Sequence, residues 1–389
     1  MGRQLSHGLA AVAAGLALAA GSLPGTASVA GASRAPGASR VPAASRAPAG
    51  QTFADRLYGV ATLSRTDAWA VGLMPESALI VHWNGRVWSK SLTGSGYYLG
   101  VGADSPADVW AVGGTSWSSP SAPLIQHWTG RAWTRVSSPD PAGGGVLNAV
   151  DAISPDDAWA VGLVGPGPGV PSPTSPLIEH WDGTSWSIAK FPEPAGGGQF
   201  RSVAATSAAD VWAVGSTGPN SEGKHHQTLI EHWNGRAWAR VPSPNGAGGY
   251  NELNGVTATA QGNAWAAGET GLTDHDATLI EHWDGRAWTV VASPTPDGDA
   301  QVLGVSATRR TDAWAVGMTR GRRCAPRCVT FIEHWNGSAW TSVASPNPGG
   351  GYLNALFGVS ATGRHNAWAV GTTDYARTLM LHWNGTTWS

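Results

Sequence analysis

One ten-residue pattern recurs seven times along the chain, and it constrains the fold more than any other feature of the sequence. "LIVHWNGRVW" begins at Leu79, "LIQHWTGRAW" at Leu124, "LIEHWDGTSW" at Leu177, "LIEHWNGRAW" at Leu229, "LIEHWDGRAW" at Leu279, "FIEHWNGSAW" at Phe331 and "LMLHWNGTTW" at Leu379. Each copy sits in a larger unit that the fifth shows well: "LNGVTATA" from Leu253, "NAWAAG" from Asn263, "TLIEHW" from Thr278 and "RAWTVVASP" from Arg286. We name these segments strands a, b, c and d. The units, measured between successive b-strand tryptophans, run from 41 residues (Trp69 to Trp110) to 54 (Trp314 to Trp368). Short β-rich segments at that period, with turn residues between them, match propeller blades. The expected fold is all-β, a seven-bladed β-propeller of four-stranded antiparallel blades over residues 51–389. Its blades lie near 51–92, 93–139, 140–192, 193–244, 245–294, 295–346 and 347–389.

Tryptophan usage supports the same reading. Of 22 tryptophans, all but Trp117 fall on three repeat positions: one in strand b (Trp69 through Trp368), one ending strand c (Trp83 through Trp383) and one in strand d (Trp88 through Trp388). Both faces of a blade are covered by its neighbours, so large rings at fixed places are packing devices. Each buried ring contributes about 4 to 6 kcal/mol, from ~150 to 250 Å² at about 25 cal/mol per Å², before chain ordering is subtracted.

Spacing separates rigid from variable parts. The c tryptophan precedes the d tryptophan by a constant five residues, as in Trp83 to Trp88, whereas the b-to-c interval ranges from 14 (Trp69 to Trp83) to 22 (Trp159 to Trp181). Thr129 occupies the c-d turn of blade 2, and a β-branched residue is poor at positive φ. We therefore expect a three-residue turn with positive φ only at its Gly, and with the Trp and the Asn, Asp or Thr as central residues. In a four-stranded meander the a-b and c-d turns share one face of the disk, and the b-c loops and d-to-a crossings share the other. Asp67, Asp108, Asp157, Asp210, Asn263, Asp312 and Asn366 are expected to cap the a-b turns. The second face carries the length variation, and function concentrates on loops held by a rigid frame.

"DVWAVG" at Asp108 and Asp210, with the seven hairpins, resembles the kelch-like and galactose-oxidase-like group of β-propellers, in particular the Trp-rich repeat proteins that bacteria secrete. The resemblance covers roughly residues 51–389 and implies a propeller. The hairpin "HWDGTSW" is similar to the Asp-box of sialidases, but its carboxylate adjoins the Gly, so no sialidase activity is carried over.

The flanking and bulk features bound the setting. Arg3, an apolar run from Leu9 to Leu23 and small residues around Ala27 and Ala30 read as a signal peptide over residues 1–30. That run is too short to span a bilayer, and no later segment qualifies. Residues 31–50, with three near-copies of a six-residue unit rich in Ala, Ser, Arg and Pro, read as an extended linker. A secreted or wall-associated protein is expected. With 13% charged residues and a formal net charge of −2, the chain offers no polybasic face for nucleic acid.

Glu281 beside His282 has the look of an acid-base dyad. Neighbouring strand residues point to opposite faces, however, and His recurs in all seven copies, so a buried, hydrogen-bonded structural histidine is expected. The remaining candidates depart from the repeat. Cys324 and Cys328, in "RGRRCAPRC", read as a loop-closing disulfide, with Arg320, Arg322, Arg323 and Arg327 around it as a solvated basic loop or an anion contact. His225 and His226 of blade 4 and Asp274, His275 and Asp276 of blade 5 are candidates to meet on the variable face and hold a polar ligand. Trp117 would either stack on a sugar or tuck against its own blade. Asn336 and Asn384 head formal glycosylation sequons within hairpin turns. No nucleophile triad, phosphate loop or zinc signature appears, and no cofactor is expected. The expected function is a monomeric, non-enzymatic binding or scaffold module for a glycan or cell-surface protein. The alternative is a secreted hydrolase or oxidase with its site on the loops of blades 4 to 6.

Overall fold

The computed structural model describes residues 56–75, 77–117, 121–165, 174–218, 226–260, 262–271, 276–319, 328–348, 353–374 and 377–389. The expected signal peptide and linker lie outside them. The described chain is almost entirely β, with one 3-10 turn at Pro296–Gly298. Strand a runs over Arg56–Ser64, Tyr97–Ser105, Gly145–Ser154, Gly198–Ser207, Tyr250–Ala260, Ala300–Arg309 and Asn354–Gly363 in blades 1 to 7. In every blade a pairs with b and b with c, antiparallel and in chain order, and d follows c at the outer edge. In blade 7 the outer edge is formed by Trp388 opposite Trp383, with Ser389 N–H donating to His382 O at 3.1 Å and His382 N–H to Ser389 O at 3.0 Å. Seven four-stranded antiparallel blades thus form a seven-bladed β-propeller.

The tryptophans hold the blades together in a repeated interlock. Each b tryptophan inserts between the c and d tryptophans of the next blade. Trp265 lies 5.0 Å from Trp335 and 5.2 Å from Trp340, meeting the second ring edge-on at 88°. Edge-to-face contact suits the ring quadrupole. The same arrangement closes the circle: Trp368 of blade 7 lies 5.1 Å from Trp83 and 5.0 Å from Trp88 of blade 1. A hydrogen bond on the inner rim joins the same two blades, where Thr62 N–H donates to Ser360 Oγ at 3.0 Å.

Glycine serves the close approaches. The Gly that follows "WAV" or "WAA" lies opposite a bulge in strand a, as where Leu253 pairs with Gly268 and Gly255 with Ala267. A Cβ on Gly268 would sit 1.9 Å from Glu252 O, an impossible contact. The hairpin glycines, from Gly85 (φ 88°) to Gly385 (φ 103°), adopt the expected left-handed conformation. The c-d loop itself differs from the three-residue turn. Trp83 and Trp88 are the last ladder pair, which leaves four residues between them and puts the Trp in the strand. The Asn84 side chain organises those four, with Oδ1 accepting from Arg86 N–H at 3.0 Å and Val87 N–H at 3.1 Å.

Candidate functional site

The repeated histidines are structural, though half-buried rather than buried. Each packs against the b tryptophan of its own blade, stacked as His127 is on Trp110 at 3.8 Å and 6° or tilted as His282 is on Trp265 at 4.3 Å and 38°. Each Nε2 bonds the acidic or amide residue that begins strand b: His82 to Asp67 at 2.8 Å, His282 to Asn263 at 2.8 Å. Those residues therefore link b to c, and in blades 4 to 7 they also brace the a-b turn as expected, as where Asn366 Nδ2 donates to Thr362 Oγ1 at 2.8 Å. Serines add to the turn in blades 1, 2 and 4, as where Ser64 Oγ accepts from Thr66 N–H at 3.1 Å. Burial, with Arg310 adding repulsion, holds His282 below its ordinary pKa. Glu281 faces the other way, fully buried, and accepts from Ser243 Oγ of blade 4 at 2.9 Å. Glu281 and His282 therefore form no dyad.

Three of the residues singled out as departures from the repeat are described at their side chains with partners. Trp117 lies flat on Tyr97 of its own blade, with ring centroids 3.7 Å apart at 17°. His226 accepts at its main chain from Asn251 N–H of blade 5 at 3.0 Å, and its ring lies 4.9 Å from Tyr250. Burial lowers its pKa, against the pull of Glu252. Asp276 faces blade 6 instead, where its Oδ2 accepts from Gln301 Nε2 at 2.9 Å. Cys328 clips blade 6 to blade 7, its carbonyl accepting from Asn354 N–H at 3.0 Å. His225, Asp274, His275, Arg320, Arg322, Arg323, Cys324 and Arg327 lie outside the described residues, and the expected disulfide with them.

What the blades do bring together is the central channel. Strand a of every blade contributes one valine, from Val60 to Val359, to a collar shared by two cavities of about 300 and 260 Å³. The larger opens toward the variable face, because strand a enters the blade from that side. Its rim carries one residue per blade, two positions before the collar valine, and these sort into two arcs. Leu303, Phe357, Tyr58 and Leu99, from blades 6, 7, 1 and 2, form an apolar arc in which Tyr58 and Phe357 lie 5.3 Å apart. Asn148, Arg201 and Asn254, from blades 3, 4 and 5, form a polar one. Asn148 donates to Phe200 O at 2.6 Å and Asn254 to Val302 O at 3.0 Å, each fastening its blade to the next.

Behind the polar arc lies a charged cluster between blades 4 and 5. Glu252 Oε1 accepts from Arg201 Nε at 2.7 Å, Gln199 Nε2 at 3.0 Å and Ser216 Oγ at 3.3 Å, while Oε2 accepts from the Tyr250 hydroxyl. Burial alone would raise the Glu252 pKa, but Arg201 and the Tyr250 hydroxyl, with the nearby His226, hold it below the ordinary value. Burial, reinforced by Glu252 and Glu269, pushes the Tyr250 hydroxyl well up. Glu269 lies opposite Glu252 in the a-b ladder and also lines the channel. Sequence reasoning missed this cluster. Its signal is a departure from the repeat inside a strand: at the Glu252 position the other blades carry Arg56, Tyr97, Val146, Gln199, Gln301 and Ala355.

The chain matches no protein-family model and no curated protein. It is similar in fold to several solved structures. One is described as YCF48 bound to D1 peptide, with 15% identity, a TM-score of 0.53, and coverage of 87% of this chain and 96% of that one. A second is an ulvan lyase of polysaccharide lyase family PL25, bound to a glucuronate and sulfated rhamnose unit, with 10% identity, a TM-score of 0.56, and coverage of 86% and 96%. A third is U3-55K, with 8% identity, a TM-score of 0.53, and coverage of 86% and 97%. At these identities the likeness concerns the fold alone. Among the described residues no helix is long and apolar enough to cross a membrane.

Proposed function

We propose that this protein is an exported, non-enzymatic binding module that takes a glycan or protein ligand on its variable face, with the mouth of the central channel as the seat. The observation that carries the reading is the two-sided mouth, an apolar arc facing a polar arc inside a rigid ring. Pockets of a few hundred Å³ with convergent polar groups are the usual seats of ligands. Two structures of the same fold lend support, one bound to a peptide and one to a glycan fragment. The kelch-like resemblance of the repeats and the apolar leader over residues 1–30 belong to the same reading, as does a monomeric state, since ring closure leaves no blade face open.

The test is capture of ligands from glycan and peptide arrays by the purified chain. Binding lost on replacing both Tyr58 and Asn254 with alanine, at an unchanged melting temperature, supports the reading. Ligands that bind the double variant as well as the parent overturn the seat, and turnover of a captured glycan overturns the non-enzymatic assignment. For export, deletion of residues 1–30 is expected to retain the chain inside a bacterial host.

A further inference from the structure

We propose that the channel mouth selects an uncharged sugar ring, a neutral hexose unit of a glycan, over acidic sugars. This rests on the binding-module reading and deepens it. The geometry of the mouth carries the inference. A pyranose has one face of C–H groups and an edge of hydroxyls, and the mouth has the complement of each. Tyr58 and Phe357, part-exposed and 5.3 Å apart, offer aromatic surface for the C–H face. Across the cavity, Asn148, Arg201 and Asn254 offer amide and guanidinium groups to the hydroxyl edge, and the cavity volume of about 300 Å³ suits a single ring of that kind.

The charge state of the cluster narrows the class. An Arg in a binding cavity ordinarily invites a carboxylate or sulfate, but here the Arg201 Nε is already committed to Glu252 at 2.7 Å. Glu269 adds a second carboxylate to the field around Arg201. A uronate or sulfated sugar would therefore meet a guanidinium already neutralised and two carboxylates beside it. Neutral hydroxyls, which donate and accept together, can use the paired donors and acceptors and carry no charge for the carboxylates to oppose. The mouth differs in this respect from any site built to neutralise an acidic glycan.

The experiment is ligand-observed NMR and calorimetry on the full chain. The probes are methyl glycosides of glucose, galactose, mannose and N-acetylglucosamine, against glucuronate, galacturonate and a 6-sulfated hexose, each up to about 10 mM. At least one neutral probe is expected to bind, with little dependence on salt, and to weaken about tenfold in Tyr58→Ala. The double variant Arg201→Met with Glu252→Gln, which removes the ion pair without stranding either charge, is expected to weaken it similarly. If that variant fails to fold, Asn254→Ala replaces it. An acidic sugar or a peptide that binds more tightly, and that the Tyr58 variant weakens, overturns the neutral-sugar inference while leaving the binding module standing. No neutral probe bound, with array ligands indifferent to every mouth variant, overturns both.

Discussion

The strand c glutamates show how one residue type is accommodated in four places by different means. Glu179 and Glu281 accept from Ser138 and Ser243, which lie in the preceding blade. In blade 3 the residue at that place is Phe191, and Glu231 is held instead by Arg240 of its own blade at 2.7 Å. In blade 5 the corresponding Ser293 turns to Thr278, and neither oxygen of the fully buried Glu333 has a hydrogen-bond partner among the described residues. Burial accordingly raises Glu179 to about 7 and Glu281 and Glu333 to about 8. A carboxyl whose folded pKa lies above its unfolded value holds its proton more tightly in the native state. Stability then falls as pH rises from about 4.5 toward 8, the reverse of a salt-bridged carboxylate. The melting temperature is expected to be higher at pH 5.5 than at pH 8.5. Glu333→Gln should flatten that slope and raise the value at pH 8.5 by about 2 °C or more. A melting temperature that rises steadily from pH 5.5 to 8.5 in the parent would contradict this account.

At the level of the element, strand order, the tryptophan positions and the left-handed Gly were legible, because a sevenfold repeat reports the same constraint seven times. Two details were not. The c-d loop is longer than expected because Trp83 and Trp88 pair in the ladder, a cross-strand choice that local turn preference does not reveal. The aspartates at the start of strand b were expected as turn caps, a role that Asp210 and Asp312 do fill, but they also bond histidines on the next strand, a contact that exists only once b and c are aligned. The bulge opposite Gly268 is another consequence of alignment. It brings Glu252 O to within 1.9 Å of where a Cβ would stand, and the obstacle is backbone rather than a movable side chain. Gly268→Ala is therefore expected to cost about 3 kcal/mol or more, while Gly363→Ala, with nothing within 4 Å, should change stability by less than about 1 kcal/mol. Urea unfolding of the two variants makes the comparison. Equal costs would mean that the bulge is not the constraint.

At the level of the whole molecule, the candidate site was legible only in outline. The variable face was identified from loop lengths, but Arg201 and Glu252 sit inside strands, one on each of two neighbouring blades, and only the packing of blade 4 against blade 5 brings them together. Closure itself is achieved with the contacts that join every other pair of blades. Trp368 meets Trp83 and Trp88 at 5.1 and 5.0 Å, as Trp265 meets Trp335 and Trp340 at 5.0 and 5.2 Å. Leu57 and Val370 are fully buried across the same junction. A joint built like the rest should be no weaker than the rest. Trp368→Ala and Trp265→Ala are therefore expected to cost the same, about 3 to 5 kcal/mol each, with a single cooperative transition in both. If the closing joint were the weak one, Trp368→Ala would instead separate the unfolding of blades 1 and 7 from that of the remainder. Hydrogen exchange would then show early loss of protection at Leu57 and Val370 in that variant. Uniform protection around the ring is the outcome that the repeated geometry requires.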